Sequence, residues 1–426
     1  MTISWPSARQ AWTMTAVLTF AYTIAFLHRI GLSLFVEPIR ADFHLTDTQV
    51  GLLTGACFAL PYTLFAPLSG WLVDRFNRCS LLAGAGLIWS AATGFGIFSY
   101  AILMIGRIVT GAVQSIVQPG SASLIADMFH PDKRAAGYGV FAAGTAFGTA
   151  GAYFAGALAV SLSARWADGL GLHEWQVAML LFGSLGLFIP LALLCVREPV
   201  RQELSEEAVT RGAVIHFVRG RIWTLATLFG GVAIAFLAMY GQLAFMPSLF
   251  IRKYGWTADD VAVTFGGIAA VVGALGSFSV GPLTTWLAGR GNNHASWTIC
   301  LFGTFACLAP GALAPIMPTG ALCMTMFAIS GAFANFPAVA VLAVISEITP
   351  NELRGQLTAL YTALVGLCSA ALGPLVVGLL NDNLPGSSPI DLSLSWTFAG
   401  CAILSAGLLI AGMPGFRRLK LGVLAG

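Results

Sequence analysis

Twelve long apolar runs decide what this chain can become. They fall near residues 11–36, 49–73, 79–98, 99–128, 135–160 and 175–196, then near 222–251, 258–288, 296–315, 319–346, 356–380 and 395–413. About 20 apolar residues is the length that crosses a bilayer's hydrocarbon core as a helix. Within that core only helices and closed barrels satisfy every backbone N–H and C=O. Barrel strands would alternate in polarity over about ten residues, whereas these runs are continuous and longer, so the elements are helices. Charge agrees: 9% of the 426 residues are charged and 57% are hydrophobic, against roughly 25% charged in a soluble domain. Such a chain cannot clothe a water-facing surface. It reads as an all-α polytopic membrane protein of twelve transmembrane helices. The first run, from Ala11, is too long for a signal peptide and lacks a small-residue cleavage site, so it is read as a retained span. A scattered net charge of +3 gives no footprint for nucleic acid.

Lys and Arg set the orientation, because cytoplasmic loops carry the excess. With the N-terminus inside, the loops on that side hold fifteen of them and the opposite loops four, namely Arg40, Arg165, Arg252 and Lys253. Both termini are therefore expected in the cytoplasm, in the cell's inner membrane. A polar segment, 197–221, separates an N-terminal six-helix bundle (1–196) from a C-terminal one (222–426). The halves are related. TDTQVGLLTG (46–55) is echoed by TADDVAVTFG (257–266) at an offset of 211, and the same offset carries Gly70 to Gly281 and Leu72 to Leu283. DMFHPDKR (127–134) is echoed by EITPNELR (347–354). Two parallel six-helix repeats are the plan of an alternating-access carrier, with its site where the repeats meet. The eight cysteines contain no C-x-x-C pair and read as inert buried thiols, not as metal ligands or disulfides.

Inside the spans lie two arginines, Arg29 and Arg107, and one histidine, His28; the acids fall in loops or at span ends. A cation facing lipid costs at least ~3 kcal/mol, so these groups must face protein or water. Arg107, Gly111, Gln114 and Gln118 share one helical face, as do Tyr22, Arg29 and Ser33, at the spacing a helix requires. His28 is turned about 100° from Arg29, toward a cavity edge or a neighbouring helix. The second half contributes Tyr240, Gln242, Asn335 and Tyr361 as softer candidate contacts. In-span cations without in-span anions make a positive site, suited to an anion gripped by guanidinium forks. The alternative for both arginines is a structural pairing with helix carbonyls.

GWLVDRFNR (70–78) resembles the loop signature of the major facilitator superfamily, G-x-L-x-D-R-x-G-R. On the residues alone, Gly70 permits close helix contact, and Asp74 can pair with Arg78 or face a neighbouring helix dipole. Asn77 stands where the signature has Gly and tolerates positive φ. The resemblance implies an interdomain latch built from Gly70, Asp74, Arg75, Arg78, Asp127, Arg134, Glu347 and Arg354, in which Thr285 replaces the second copy of Asp74. RIVTGAVQSIVQPGSASLIADMF (107–129) is similar to bacterial members of the spinster-type branch. That branch usually has Asp-Arg in span one and Glu in span four; here stand His28-Arg29 and Gln114.

The expectation is a secondary transporter carrying an amphipathic or aromatic organic anion. His28, a residue type that charges in the physiological range, is expected either to take the coupling proton in symport or to stay neutral, hydrogen-bonded to a backbone carbonyl. The rival reading is proton-driven efflux of neutral or anionic drug-like or lipid-like compounds. Enzymatic motifs such as H-E-x-x-H and G-x-S-x-G are absent from the sequence, so an enzyme is not expected. Nor is a cofactor or metal. The chain is expected to work as a monomer, with its substrate, protons and the bilayer as its partners.

Overall fold

A computed structural model describes residues 5–201, 216–385 and 389–424. Twelve long helices carry the fold: α1 (Ala8–Leu34), α2 (Asp47–Arg75), α4 (Tyr100–Met128) and α6 (Glu174–Leu193) in the first half, with α3 (Arg78–Phe95) and α5 (Pro131–Leu170). The second half has α7 (Ile222–Tyr254), α8 (Ala258–Gly289), α9 (Ala295–Ile316) and α10 (Gly320–Ile348), then α11 (Asn351–Asn383) and α12 (Ile390–Leu424). Eleven contain a stretch long and apolar enough to cross a membrane. The twelfth, α3, has 18 residues, about 27 Å at 1.5 Å per residue, and opens on Arg78. No strand occurs among the described residues.

Local chemistry marks the helix ends. Ser7 and Thr46 form reciprocal capping boxes with Gln10 and Gln49, satisfying donors that the first helical turn leaves free. Ser99 and Thr319 cap α4 and α10 by accepting the N–H of Ile102 and Leu322. Asn77 does not use the left-handed region: its φ is −65°, and its side-chain oxygen Oδ1 caps α3 by accepting the Ser80 N–H at 2.8 Å. The expected positive φ is thus replaced by an N-cap, the other role for which Asn is suited.

The chain falls into two compact units. One holds α1–α6 together with Trp256–Ala270; the other holds α7, the remainder of α8 and α9–α12. The first part of α8 packs on α5 within the first unit, where Phe265 meets the Tyr153 ring edge-on at 4.9 Å. Each unit has its own apolar core, one around Met14, Leu18, Trp89 and Leu124, the other around Leu228, Trp297, Phe336 and Phe416. Outward side chains such as Leu64 and Phe278 stay exposed, as lipid-facing residues do.

The repeat is visible in detail. α4 is broken between Gln114 and Val117, and α10 between Phe333 and Phe336. Glycines let helices touch in both halves, and the tightest such approaches to a carbonyl differ in place. In the first, Gly111 of α4 lies on the Phe58 carbonyl of α2; in the second, Gly276 of α8 lies on the Ala332 carbonyl of α10. Any Cβ at either place would overlap that carbonyl. Small residues that let backbones approach are the usual means of packing in lipid.

Candidate functional site

His28 is buried, 3% exposed, and points into its own bundle. Its Nδ1–H donates to the Ile24 carbonyl one turn back, at 3.0 Å, which leaves Nε2 as the lone-pair nitrogen of a neutral ring. The ring meets Phe182 edge-on at 5.3 Å and tilts toward Trp89 at 6.3 Å. Nε2 has no hydrogen-bond partner.

The two arginines divide the roles that the sequence left open. Arg107 is buried, and its guanidinium is shared among backbone oxygens. Nε donates to Leu53, Nη1 to the His28 carbonyl and Nη2 to the Arg29 carbonyl, at 3.3–3.4 Å. It is a clamp tying α4 to α1 and α2, the carbonyl pairing weighed above. Arg29 is different. Its guanidinium lies over three ring faces, Phe26 at 4.6 Å, Phe58 at 4.7 Å and Tyr62 at 4.8 Å, and its buried Nε has no partner. Phe58 stands between the cations, since Arg107 also lies over its face at 5.1 Å. Cation–π contacts of this kind contribute about 0.5–2 kcal/mol and hold a guanidinium without neutralising it. Among the described residues no acid pairs with Arg29 or Arg107.

The single face expected on α4 does not survive the break. Gln114 is buried, with neither amide atom partnered, whereas Gln118 is exposed and accepts from the Tyr62 hydroxyl at 3.5 Å. Tyr22 stacks on Phe141 at 4.4 Å, so its ring is part of the core packing. In the second unit Tyr240 and Gln242 are half-buried on α7, Asn335 is exposed at the break in α10, and Tyr361 is buried against Phe229. The structure thus gathers Arg29, Arg107, Gln118 and the unforeseen Phe58 and Tyr62 in one region, and leaves the second-unit candidates spread over three helices.

The loop-motif residues form braces inside each unit. Arg78 is fully buried and does not pair with Asp74 as expected; it binds Asp127 and, through Nε, Glu198 at 2.8 Å. Ser123 accepts from Nη1, and the other Glu198 oxygen accepts the Arg78 backbone N–H. The reason is position. Asp127 ends α4, where helix carbonyls already concentrate negative charge, so it calls for a buried cation, which Arg78 supplies. Asp74 is exposed and has no ion pair among the described residues, Arg75 lies over the Trp71 ring at 4.7 Å, and Gly70 makes no close approach. Arg134 and Arg354 both donate to the carbonyl ends of the preceding helices, Ala126 and Phe129 in one case, Thr349 and Ser346 in the other. Glu347 holds the place of Asp127 but is served by the Ser296 hydroxyl at 2.7 Å and Lys420 at 2.6 Å. The sequence reading missed Glu198, Ser296 and Lys420. The polarity of 197–221 marked a linker, and nothing in it showed that its first residue after Arg197 would fold back.

Two helical repeats, each with a broken fourth helix, and an unneutralised cation inside a span of the first, are the plan of a membrane transporter. Residues 18–371 match the Major Facilitator Superfamily, and the chain belongs to that superfamily. A bacterial homologue of the human lysosomal transporter spinster, solved inward-facing and unoccupied, superposes with a TM-score of 0.80 at 20% identity, covering 99% of both chains. A D-xylose–proton symporter superposes at 0.70 and 17% identity, over 94% of this chain and 97% of that one. An MFS-type efflux pump of Mycolicibacterium smegmatis is 26% identical over 88% of this chain and 86% of its own length. Protein spinster of Drosophila melanogaster is 27% identical over 69% of this chain, which spans about half of that protein (49%). The resemblance to the spinster-type branch is thereby upheld.

Proposed function

We propose that the protein carries an amphipathic or aromatic organic anion by alternating access, coupled to proton symport in the inner membrane with both termini cytoplasmic. One observation carries the reading: Arg29, inside a span, is held by three aromatic faces and by no acid. The rings surround the guanidinium without neutralising it, and its terminal N–H groups are proposed to grip a two-oxygen acceptor such as a carboxylate or sulfonate. Phe26, Phe58 and Tyr62 would then pack the apolar part of the same guest. Gln118, Tyr240, Gln242 and Asn335 are the polar groups proposed to complete the site. Arg107 is proposed as a second, indirect contributor, its charge felt through the Phe58 ring rather than by touching the guest. Asp74, exposed and unpaired, is the acid left to act as a latch between the halves.

Coupling follows from charge. A proton on His28 adds a third cation to Arg29 and Arg107, so it is stabilised when an anion occupies Arg29. By linkage the proton strengthens the anion's binding by the same factor. Uptake into proteoliposomes of radiolabelled aromatic carboxylates, sulfonates and phosphates, with and without an inward proton gradient, tests both parts. Arg29→Gln is expected to cut uptake at least tenfold with unchanged thermal stability. His28→Gln is expected to abolish the gradient's stimulation. Uptake unaffected by Arg29→Gln would end the anion reading. Export of neutral or anionic drug-like compounds is the second reading, favoured by the similarity to the M. smegmatis efflux pump. It predicts drug extrusion that is indifferent to Arg29.

A further inference from the structure

Behind His28, inside the first unit, a cavity of ≈ 20 Å³ (space open to the centres of water molecules) lies among α1, α3, α4 and α6. About 10–15 Å³ by this measure holds one water, provided two to four polar partners face it. Most of the wall is apolar, from Leu32 and Phe35 to Met179 and Phe182, but four polar residues interrupt it: His28, Thr93, Arg107 and Thr110. The two threonine hydroxyls donate to their own helices, at Trp89 and Gly106, so their lone pairs remain able to accept. Arg107 uses one N–H on each of three nitrogens and keeps two to donate. His28 Nε2 is buried and unpartnered, a state that costs roughly 1–3 kcal/mol when nothing compensates it.

We infer that this cavity is a one-water binding site, in which the water donates to His28 Nε2, accepts from Arg107 and forms the route by which His28 gains and loses its proton. The second clause rests on the proton-coupling reading; the first does not. A proton arriving as hydronium passes to the Nε2 lone pair, leaving neutral water and an imidazolium. Its new N–H lies beside the Phe182 and Gly183 backbone of α6. The charged and titratable groups around the ring are Arg29, next in the chain, and Arg107 from α4, with Cys57 of α2 beside Arg107. The α3 and α6 residues that line the cavity or meet the ring, Trp89, Ala92, Thr93, Met179 and Phe182, carry no charge.

Solid-state ¹⁵N NMR of histidine-labelled protein in liposomes tests this, with His28→Gln identifying the signal. The expected Nε2 resonance is that of a hydrogen-bonded lone pair, and Ala92→Leu, which fills the cavity from α3, moves it to the bare-nitrogen position. Leu103→Phe fills the same space from α4 should Ala92→Leu fail to fold. A bare-nitrogen shift in the native protein overturns the water site. A hydrogen-bonded shift that the filled variants retain overturns its location in this cavity. Proton-gradient stimulation that survives in a filled variant overturns the proton route. Should His28→Gln leave that stimulation intact, the coupling reading fails while the water site stands on its NMR signal.

Discussion

The two halves share a fold and differ in where they bury charge. Among the described residues every buried charged or imidazole side chain lies in the first unit: His28, Asp47, Arg78, Arg107 and Asp127. The second unit buries hydroxyls and one amide, Asn381, at the same depth. The same contrast runs through the braces built on the loop motifs. In the first half an acid–arginine–acid chain (Asp127, Arg78, Glu198) locks the start of the linker onto α3; in the second, Glu347 is met by a hydroxyl and a flexible, quarter-exposed lysine. A repeat can therefore preserve helix breaks and crossing points while its electrostatics are rewritten. Packing constrains both copies equally, whereas ligand chemistry needs a site in only one.

The comparison breaks most visibly at the braces. Arg78→Ala leaves two acids without their buried cation, which costs about 3–5 kcal/mol when a buried pair loses one partner. Lys420→Ala is expected to cost at most about 1 kcal/mol, the range of exposed pairs. Thermal unfolding in detergent should separate the two variants widely, and equal losses would show that the halves are braced alike. The crossings should behave the other way. Gly111→Ala and Gly276→Ala each push a methyl into a carbonyl and should lose similar stability, about 1–3 kcal/mol. A marked difference would mean that one crossing can relax and the repeat is not equally tight.

The smallest effect sharpens the second half's brace. His294, outside the spans at the start of α9, has its pKa lowered by burial first and then by Arg417 and Lys420, with Glu347 opposing. The folded state then binds fewer protons than the unfolded one, so stability rises with pH through the window below about 6.5, the unfolded value. It is lost as pH falls through that window. His294→Gln should flatten the slope of melting temperature between pH 7.5 and 5.5. An unchanged slope would remove His294 from the brace.

Much of this was legible in the residues. The spans and their number followed from apolar run length, because a bilayer accepts only helices of a given length; the repeat and the family resemblance followed from matched residues such as TDTQVGLLTG and GWLVDRFNR. Arg29 and His28 stood out because an ionisable group in hydrocarbon must be accounted for. Their neighbours did not. Phe58 and Tyr62 read as ordinary apolar span residues, and Arg107 looked equivalent to Arg29 until its donors were found on three carbonyls. Gln118 left the face of Gln114 because α4 is broken at Ser115 and Ile116, and a uniform helical period cannot register a break. Glu198 looked like linker.

By itself the sequence determined that this is a helical membrane transporter of two related halves carrying uncompensated cations in its first half, since hydropathy and charge count are properties of composition and order. Which cation is clamped and which remains available, where the histidine lone pair points, and which acid meets Arg78 were decided only by the tertiary structure. Those outcomes depend on distances between side chains from different helices, and no local pattern encodes them.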